Sequence, residues 1–296
     1  MRRGDFLEHV AWTGAGIAYS LGAGGVLVGR AVAAGSHRTT EFVQISDSRI
    51  GFHQPANPDV RATLQMAVDA INALPSQPSF VVHTGDITHL STPAQFDDAR
   101  AILSQLRAPL IALPGERDVV GNDFQPYLQN FRIPHSVTGG WASWDNSGIH
   151  YVVLLNVFNF EKLGLLGSEQ LGWLEKDLSA VAPATPVVVF THVPLYALYP
   201  QWGWTTEDGT KALALLKRFE RVTILNGHIH QVVTHEEGNI RFASAAATAY
   251  PQPKPGAAPK PGPVTLPHAD LLRAIGYRSV EIDDGSLRFE DRSLTA

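Results

Sequence analysis

The sequence predicts an α/β fold with a mixed or parallel sheet, and three observations carry that expectation. Short apolar runs rich in β-branched and aromatic residues, at 42–45, 80–82, 110–113, 187–190 and 222–225, read as buried strands. Between the first three of them lie stretches with helical periodicity, giving a β-α-β-α-β order. Polar residues follow each run at once, which places chemistry at the carboxyl ends of the strands.

The elements follow in order. Residues 59–74 carry apolar side chains at Val60, Leu64, Ala67, Val68 and Ile71, a helical spacing, with Pro58 just ahead. A second helix is expected over 93–106, with Thr92 as its N-cap. Further along, 149–157 reads as a strand and 168–178 as a helix capped by Ser168. Residues 231–235 and 240–244 read as strands joined by a hairpin at Glu237-Gly238-Asn239, and 279–282 and 287–290 as another around Asp284-Gly285. The proline-rich stretch 251–267 cannot be regular helix or central strand. It is expected to be an ordered strap across the site, because a helical segment and a hairpin beyond it must be tied back to the core. A flexible linker is the other reading.

Composition narrows the function. With 296 residues and 44% hydrophobic residues, the chain can bury one sizeable core. A net charge of -5 gives no basic footprint, so a nucleic-acid polymer is not an expected partner, whereas a small phosphorylated molecule is. There is no cysteine, so any metal must be held by oxygen and imidazole.

The first residues read separately. Arg2-Arg3 precede Phe6-Leu7, a weakly apolar stretch rich in Gly and Ala at 10–29, and a small-residue cleavage site at Ala31-Val32-Ala33. Residues 1–35 are therefore expected to be a twin-arginine export signal leading to a periplasmic domain over 36–296, and a cytoplasmic protein if that reading does not hold. Glycines and hydroxyl side chains interrupt the apolar run, so no permanent membrane span is expected.

Five motifs stand in one order: Asp47-Ser48-Arg49, Gly85-Asp86, Gly115-Glu116-Arg117-Asp118, His192, and Gly227-His228-Ile229-His230. Carboxylates and imidazoles collected at strand ends suit a divalent-metal hydrolase. Any one of them alone is more often a turn residue or an ordinary polar side chain, but their ordered coincidence points to one shared site. Two residues apart on an extended segment, His228 and His230 would face one cluster, and Asp47 and Arg49 share that geometry.

The series resembles the calcineurin-like metallophosphoesterase superfamily, whose pattern is D-x-H, G-D, G-N-H-[DE], H and G-H-x-H, over roughly residues 41–230. The resemblance implies a four-layer αββα sandwich of two mixed sheets flanked by helices. It also implies phosphomonoester or phosphodiester hydrolysis by metal-activated hydroxide attacking phosphorus in line. By the same resemblance Asp47 and His230 ligate a first metal, His192 and His228 a second, and Asp86 bridges both. Fe, Mn or Zn would serve.

Three positions depart from the pattern. Glu116 replaces an amide ligand by a carboxylate, which still coordinates. Arg49 and Arg117 stand where the family has histidines. Guanidinium has no free acceptor and cannot ligate, so the first half loses a ligand and the site is expected to hold one ion rather than two, bound by Asp86, Glu116, His192 and His228. Arg117 is expected to bind phosphate, paired with Asp118, but cannot donate a proton near neutral pH, which lowers activity and favours good leaving groups. The alternative is a catalytically impaired member that binds a phosphorylated ligand or partner through the two arginines. If a histidine compensates, His53 is the best placed, after the first strand, ahead of His83 and His89, but structural or solvent roles are the expected ones for all three. Tyr196, Tyr199, Trp202 and Trp204 would either receive a base, sugar or aryl group or form a satellite core.

Overall fold

A computed structural model describes residues 16–21, 27–32, 40–122, 124–136, 140–157, 164–283 and 285–295, with side chains described from residue 41 onward in those segments except at 122 and 283. Two units are defined, residues 1–38 and 39–296. In the first, β1 (Gly16–Leu21) pairs antiparallel with β2 (Leu27–Val32). The rest of the segment read as an export signal lies outside the described residues. No helix among the described residues is long and apolar enough to cross a membrane.

The second unit begins with β3 (Thr40–Ile45), α1 (Val60–Asn72), β4 (Phe80–His83), α2 (Pro93–Leu103), β5 (Leu110–Ala112) and α3 (Gln125–Asn130). It continues with β6 (Ala142–Asn146), β7 (Ile149–Val153), α4 (Ser168–Ser179), β8 (Val187–Thr191), α5 (Gly209–Leu216) and β9 (Val222–Asn226). It ends with β10 (Val233–Glu237), β11 (Ile240–Ser244), α6 (His268–Ala274), β12 (Gly276–Asp283) and β13 (Ser286–Ser293).

Two mixed sheets result. One has the order β13-β12-β3-β4-β5, and the other β10-β11-β9-β8-β7-β6. Strands β3, β4 and β5 are parallel in the first, and β7, β8, β9 and β11 in the second, so their carboxyl ends deliver polar residues to one edge. Every residue of β4, β7, β8 and β9 is buried, which is why these strands read as unbroken apolar runs.

Three apolar layers hold the stack. Between the sheets, Phe42, Phe80, Tyr151 and Phe190 pack ring on ring, with Phe42 stacked on Phe80 at 5.1 Å. Outside the first sheet, Leu64, Val68, Phe96, Tyr127 and Leu271 come from α1, α2, α3 and α6; outside the second, Leu174, Leu178 and Leu216 come from α4 and α5. The architecture is the αββα sandwich expected.

Local signals act as their chemistry requires. Thr92 Oγ1 accepts from Gln95 N at 3.3 Å, capping α2 ahead of Pro93, and Asp59 Oδ1 accepts from Ala62 N at 3.0 Å at the start of α1. Ser168 does not cap α4. The N-cap is Gly167, at φ 84°, and Asp208 accepts from the Leu166 and Gly167 amides at 2.9 Å each. The expected strand over 149–157 stops at Val153, where the chain leaves the sheet toward the site.

Candidate active site

The five motifs meet where the parallel strands end. The chain reverses so sharply there that Asp47 (φ 52°), Arg49 (φ 52°), Asp86 (φ 55°), His228 (φ 68°) and His230 (φ 54°) all adopt left-handed backbone conformations. Such conformations cost free energy for non-glycine residues and persist where the surroundings over-determine them. They also change an expectation. His228 and His230 do not lie on an extended segment, yet both face the one cluster, in the two halves the resemblance implies: His228 Nδ1 is 3.2 Å from Glu116 Oε2, whereas His230 Nε2 is 3.2 Å from Asp47 Oδ1. They serve opposite halves.

Glycine lets the loops close. At Gly115 a Cβ would collide with Asp86 Oδ1 and the Asp86 amide, and at Gly85 (φ 97°) it would meet His192 Nδ1 at 2.5 Å.

Asp47, Asp86, His192 and His230 each have one atom fixed and another turned inward. Asp47 Oδ2 accepts from Ser46 Oγ at 2.6 Å and His228 N at 3.0 Å, leaving Oδ1 toward His230. Asp86 Oδ1 accepts from Arg117 N at 2.8 Å, and Oδ2 faces Arg49 Nη1 at 3.2 Å. His192 Nδ1 donates to the Thr84 carbonyl at 2.6 Å, and His230 Nδ1 to the Tyr250 carbonyl at 2.7 Å, so both present Nε2 to the cluster. His192 Nε2 lies 2.8 Å from Glu116 Oε2 and 3.6 Å from Asp86 Oδ1.

The electrostatics are those of a cation site. Burial alone would raise the Asp47 carboxyl, but His230, then His192 and Arg49, hold it well below the ordinary range. Burial likewise opposes charge on Glu116, and His228 and His192 hold it low. Asp86 is pushed up by burial and by Glu116, with Arg49 opposing. On His192 burial disfavours the proton, yet Asp86 and Glu116 lift its pKa to about 10.

A divalent ion fits these residues. Glu116, His192 and His228 offer atoms within 4.8 Å of one another, as do Asp47, Asp86 and His192. Asp47 Oδ1, Asp86 Oδ2 and His230 Nε2 are buried with no hydrogen-bond partner, as ligand atoms are.

Arg49 and Arg117 open on the same cavity of about 360 Å³ as Glu116 and His228. Nε of Arg49 and Nε of Arg117 are buried without hydrogen-bond partners, donors that suit an anion, whereas Arg49 Nη1 is engaged by the Asp86 carboxylate. Tyr250, which the sequence reading did not single out, lies under the first half: its ring is 4.7 Å from that of His230, and the Arg49 guanidinium sits 5.7 Å above it.

Asp118 corrects an expectation. It does not pair with Arg117: Oδ1 accepts from Thr88 N (2.7 Å) and Thr88 Oγ1 (2.9 Å), and Oδ2 from Gly115 N (2.9 Å) and Ile87 N (3.0 Å). It staples the Asp86 turn to the Glu116 turn, which makes it a positioning residue. Burial and the charge of Asp86 raise its pKa to about 7 against the pull of those amides.

The other histidines differ from expectation in one respect, that His89 and not His53 borders the cavity. His53 is exposed and bonds the Pro58 carbonyl at 2.5 Å, away from the ligand cluster. His83 is buried, accepting from Gly85 N at 3.2 Å and contacting Ser48 Oγ at 3.0 Å, and burial lowers its pKa to about 3. His89 is the one that lines the cavity, and burial with Arg49 and Arg117 lowers it to about 4.

Fold and site together define a metal-dependent hydrolase of the double-sheet type. The chain belongs to the calcineurin-like phosphoesterase family, whose model matches residues 41–232, and metal-dependent phosphoester hydrolysis is its chemistry. It is 29% identical over 199 residues to glycerophosphodiester phosphodiesterase GpdQ of Enterobacter lignolyticus, covering 66% of this chain and 71% of that protein. It is 25% identical over 263 residues to a probable cyclic nucleotide phosphodiesterase of Synechococcus, covering 86% and 92%. A dimetal phosphatase from Danio rerio shares the fold with a TM-score of 0.66 at 13% identity, over 87% of this chain and 97% of that one.

Proposed function

We propose that the protein hydrolyses small phosphate diesters with good leaving groups at a centre holding one divalent cation, and that Arg49 takes the place of a second. The carrying observation is the Arg49 guanidinium inside the cluster, 3.2 Å from Asp86 Oδ2 and within the field of Asp47 and Glu116. Asp86, Glu116, His192 and His228 would hold Fe, Mn or Zn, with Asp47 and His230 completing the site. A divalent ion there supplies Lewis acidity and makes water a stronger acid.

The chain's own residues do the rest. Arg117, and Arg49 through the Nε that its Asp86 contact leaves over, bind the phosphoryl oxygens and offset charge that grows toward the transition state. Neither passes a proton, since guanidinium stays charged. His89, lowered to about 4, is neutral near neutral pH and brings no proton either. The leaving group must therefore depart as an anion, which favours aryl over alkyl esters. The names of the two phosphodiesterase relatives support diesters. The Arg2-Arg3 pair supports export to the periplasm as part of this reading.

Metal analysis of protein purified with Mn²⁺ tests the proposal. About one equivalent per chain is expected on the ligand count; two equivalents would overturn it. The Arg49 to Asp86 contact also favours a second reading, a phosphate-binding protein without turnover. Restoring histidine at 49 and 117 separates them: a large gain in aryl-esterase activity from a silent native protein supports the second.

A further inference from the structure

The cavity has a second side that the phosphate chemistry does not use. Besides the arginines it is lined by Trp202, by the strap residues Pro261 and Pro263, and by Gln252, whose side chain is bonded to the His228 carbonyl. The aromatic residues after His192 divide. Trp204 is fully buried, and Tyr196 packs on Phe242 at 4.5 Å in the layer outside the second sheet. Trp202 is only half-buried, on a short helical turn (Pro200–Trp202) closed by Gly203 at φ 73°. Tyr199 and Trp204 hydrogen-bond across the base of that turn, at 3.1 and 3.2 Å. Their rings stand at 84° and 88° to the Trp202 indole, with centroids 5.1 and 5.0 Å away, fixing its orientation.

An indole held rigid at the wall of a polar cavity is a stacking platform, because covering it costs little conformational entropy. The strap is tied down in front of it. Gln231 Nε2 donates to the Gln252 and Pro253 carbonyls at 3.1 and 2.6 Å, and Gln252 Nε2 donates to the His228 carbonyl at 3.1 Å. Gln252 Oε1 is then left buried with no partner, an acceptor beside the cavity awaiting an N–H donor.

We infer that this side is a subsite for a planar heteroaromatic base carried by the phosphate ester, stacked on Trp202 and read by Gln252 Oε1. The inference rests on the phosphoesterase reading for the phosphate end only. A nucleoside 5'-phosphate carries both groups: phosphate for the arginines, and a base with ring faces and N–H donors for Trp202 and Gln252. A glycerol or simple alkyl group offers neither a face nor a directed N–H.

Calorimetric titration of the metal-loaded protein with adenosine 5'-monophosphate and with ribose 5-phosphate tests this directly, since the two ligands share the phosphate and differ in the base. The adenosine ligand is expected to bind roughly tenfold more tightly or better, as base stacking on an aromatic side chain commonly gives. Trp202→Ala should remove that preference while leaving ribose 5-phosphate affinity unchanged, and Trp202→Phe should keep most of it. Gln252→Ala should weaken the adenosine ligand more than ribose 5-phosphate. Equal affinity for the two ligands, no binding of the adenosine ligand, or a preference that survives Trp202→Ala would overturn the subsite. Hydrolysis of bis(p-nitrophenyl) phosphate by the same preparations reports on the enzyme reading separately: its absence with the base preference intact would sink the reaction and not the subsite.

Discussion

Arg49 Nη1 lies 3.2 Å from Asp86 Oδ2, both groups buried, and neither atom has a hydrogen-bond partner. The contact is one of charge rather than aligned bonding. Three carboxylates, Asp47, Asp86 and Glu116, converge with Asp47 and Asp86 fully buried, where uncompensated negative charge is costly. The guanidinium supplies compensation that no ion has to bring.

Arg49→His removes that built-in cation and restores a ligand. The variant is expected to lose stability in chelator, by about 3–5 kcal/mol as for other buried pairs broken at one partner, and to recover it in Mn²⁺. Thermal unfolding with EDTA and across a Mn²⁺ series checks this. A metal response no larger than that of the native protein would show that Arg49 does not occupy a cation position.

On the proposed reading Arg117 sets the leaving-group preference. A guanidinium that holds oxygen gives no proton, so the native protein should favour p-nitrophenyl over alkyl diesters by more than leaving-group acidity costs an enzyme with a proton donor. Arg117→His should narrow the gap by about a hundredfold, the lower range for general-acid help. The ratio of kcat/KM for a p-nitrophenyl and an alkyl ester, in both proteins, decides it. Equal native rates on the two esters would mean that another group donates.

Asp118 holds the Asp86 and Glu116 turns in register through three amides and the Thr88 hydroxyl. Asp118→Asn puts an NH₂ where an oxygen accepted, leaving buried donors facing donors. A loss of about 1–3 kcal/mol in urea unfolding is expected, with weakened metal binding. Arg117→Met should leave stability nearly unchanged, which separates the observed staple from an Arg117 to Asp118 pair.

Much of this was legible beforehand, for a physical reason. Parallel strands buried on both faces leave unbroken apolar runs, and the polar residues just after 42–45, 80–82, 110–113, 187–190 and 222–225 all reach the site. What was hidden depends on backbone direction and on atoms distant in sequence. Left-handed conformations at His228 and His230 aim the neighbouring imidazoles at the two halves, a placement that the family resemblance implies but that side-chain periodicity alone does not show. Asp118 looks like a partner for its neighbour Arg117 until the amides of Ile87 and Thr88 arrive from another turn. His53 follows the first strand, but Gly51 at φ 98° redirects the chain before it, and His89 lines the cavity. Tyr250 carries no motif, and its carbonyl fixes the His230 tautomer.

Away from the site, His150 makes folding pH-dependent. On β7 and facing Asp145 across the β6 pairing, its Nδ1 donates to Asp145 Oδ1 at 2.8 Å and its Nε2 to Asp177 Oδ2 of α4 at 2.9 Å. Both nitrogens donate, so the bound form is the imidazolium. Burial opposes the charge, but the bonds to Asp177 and Asp145 prevail and raise the pKa above its ordinary 6.5. A histidine whose pKa rises on folding contributes stability that is fully present below 6.5 and lost as pH climbs through the folded value. Asp145 is largely exposed and adds little, so Asp177 supplies most of the effect. His150→Gln should therefore cost about 1–3 kcal/mol on the acidic side of that range, with the difference from native shrinking as pH rises. Chemical unfolding of both proteins across the titration range measures it; a difference that stays constant with pH would mean that His150 is held neutral.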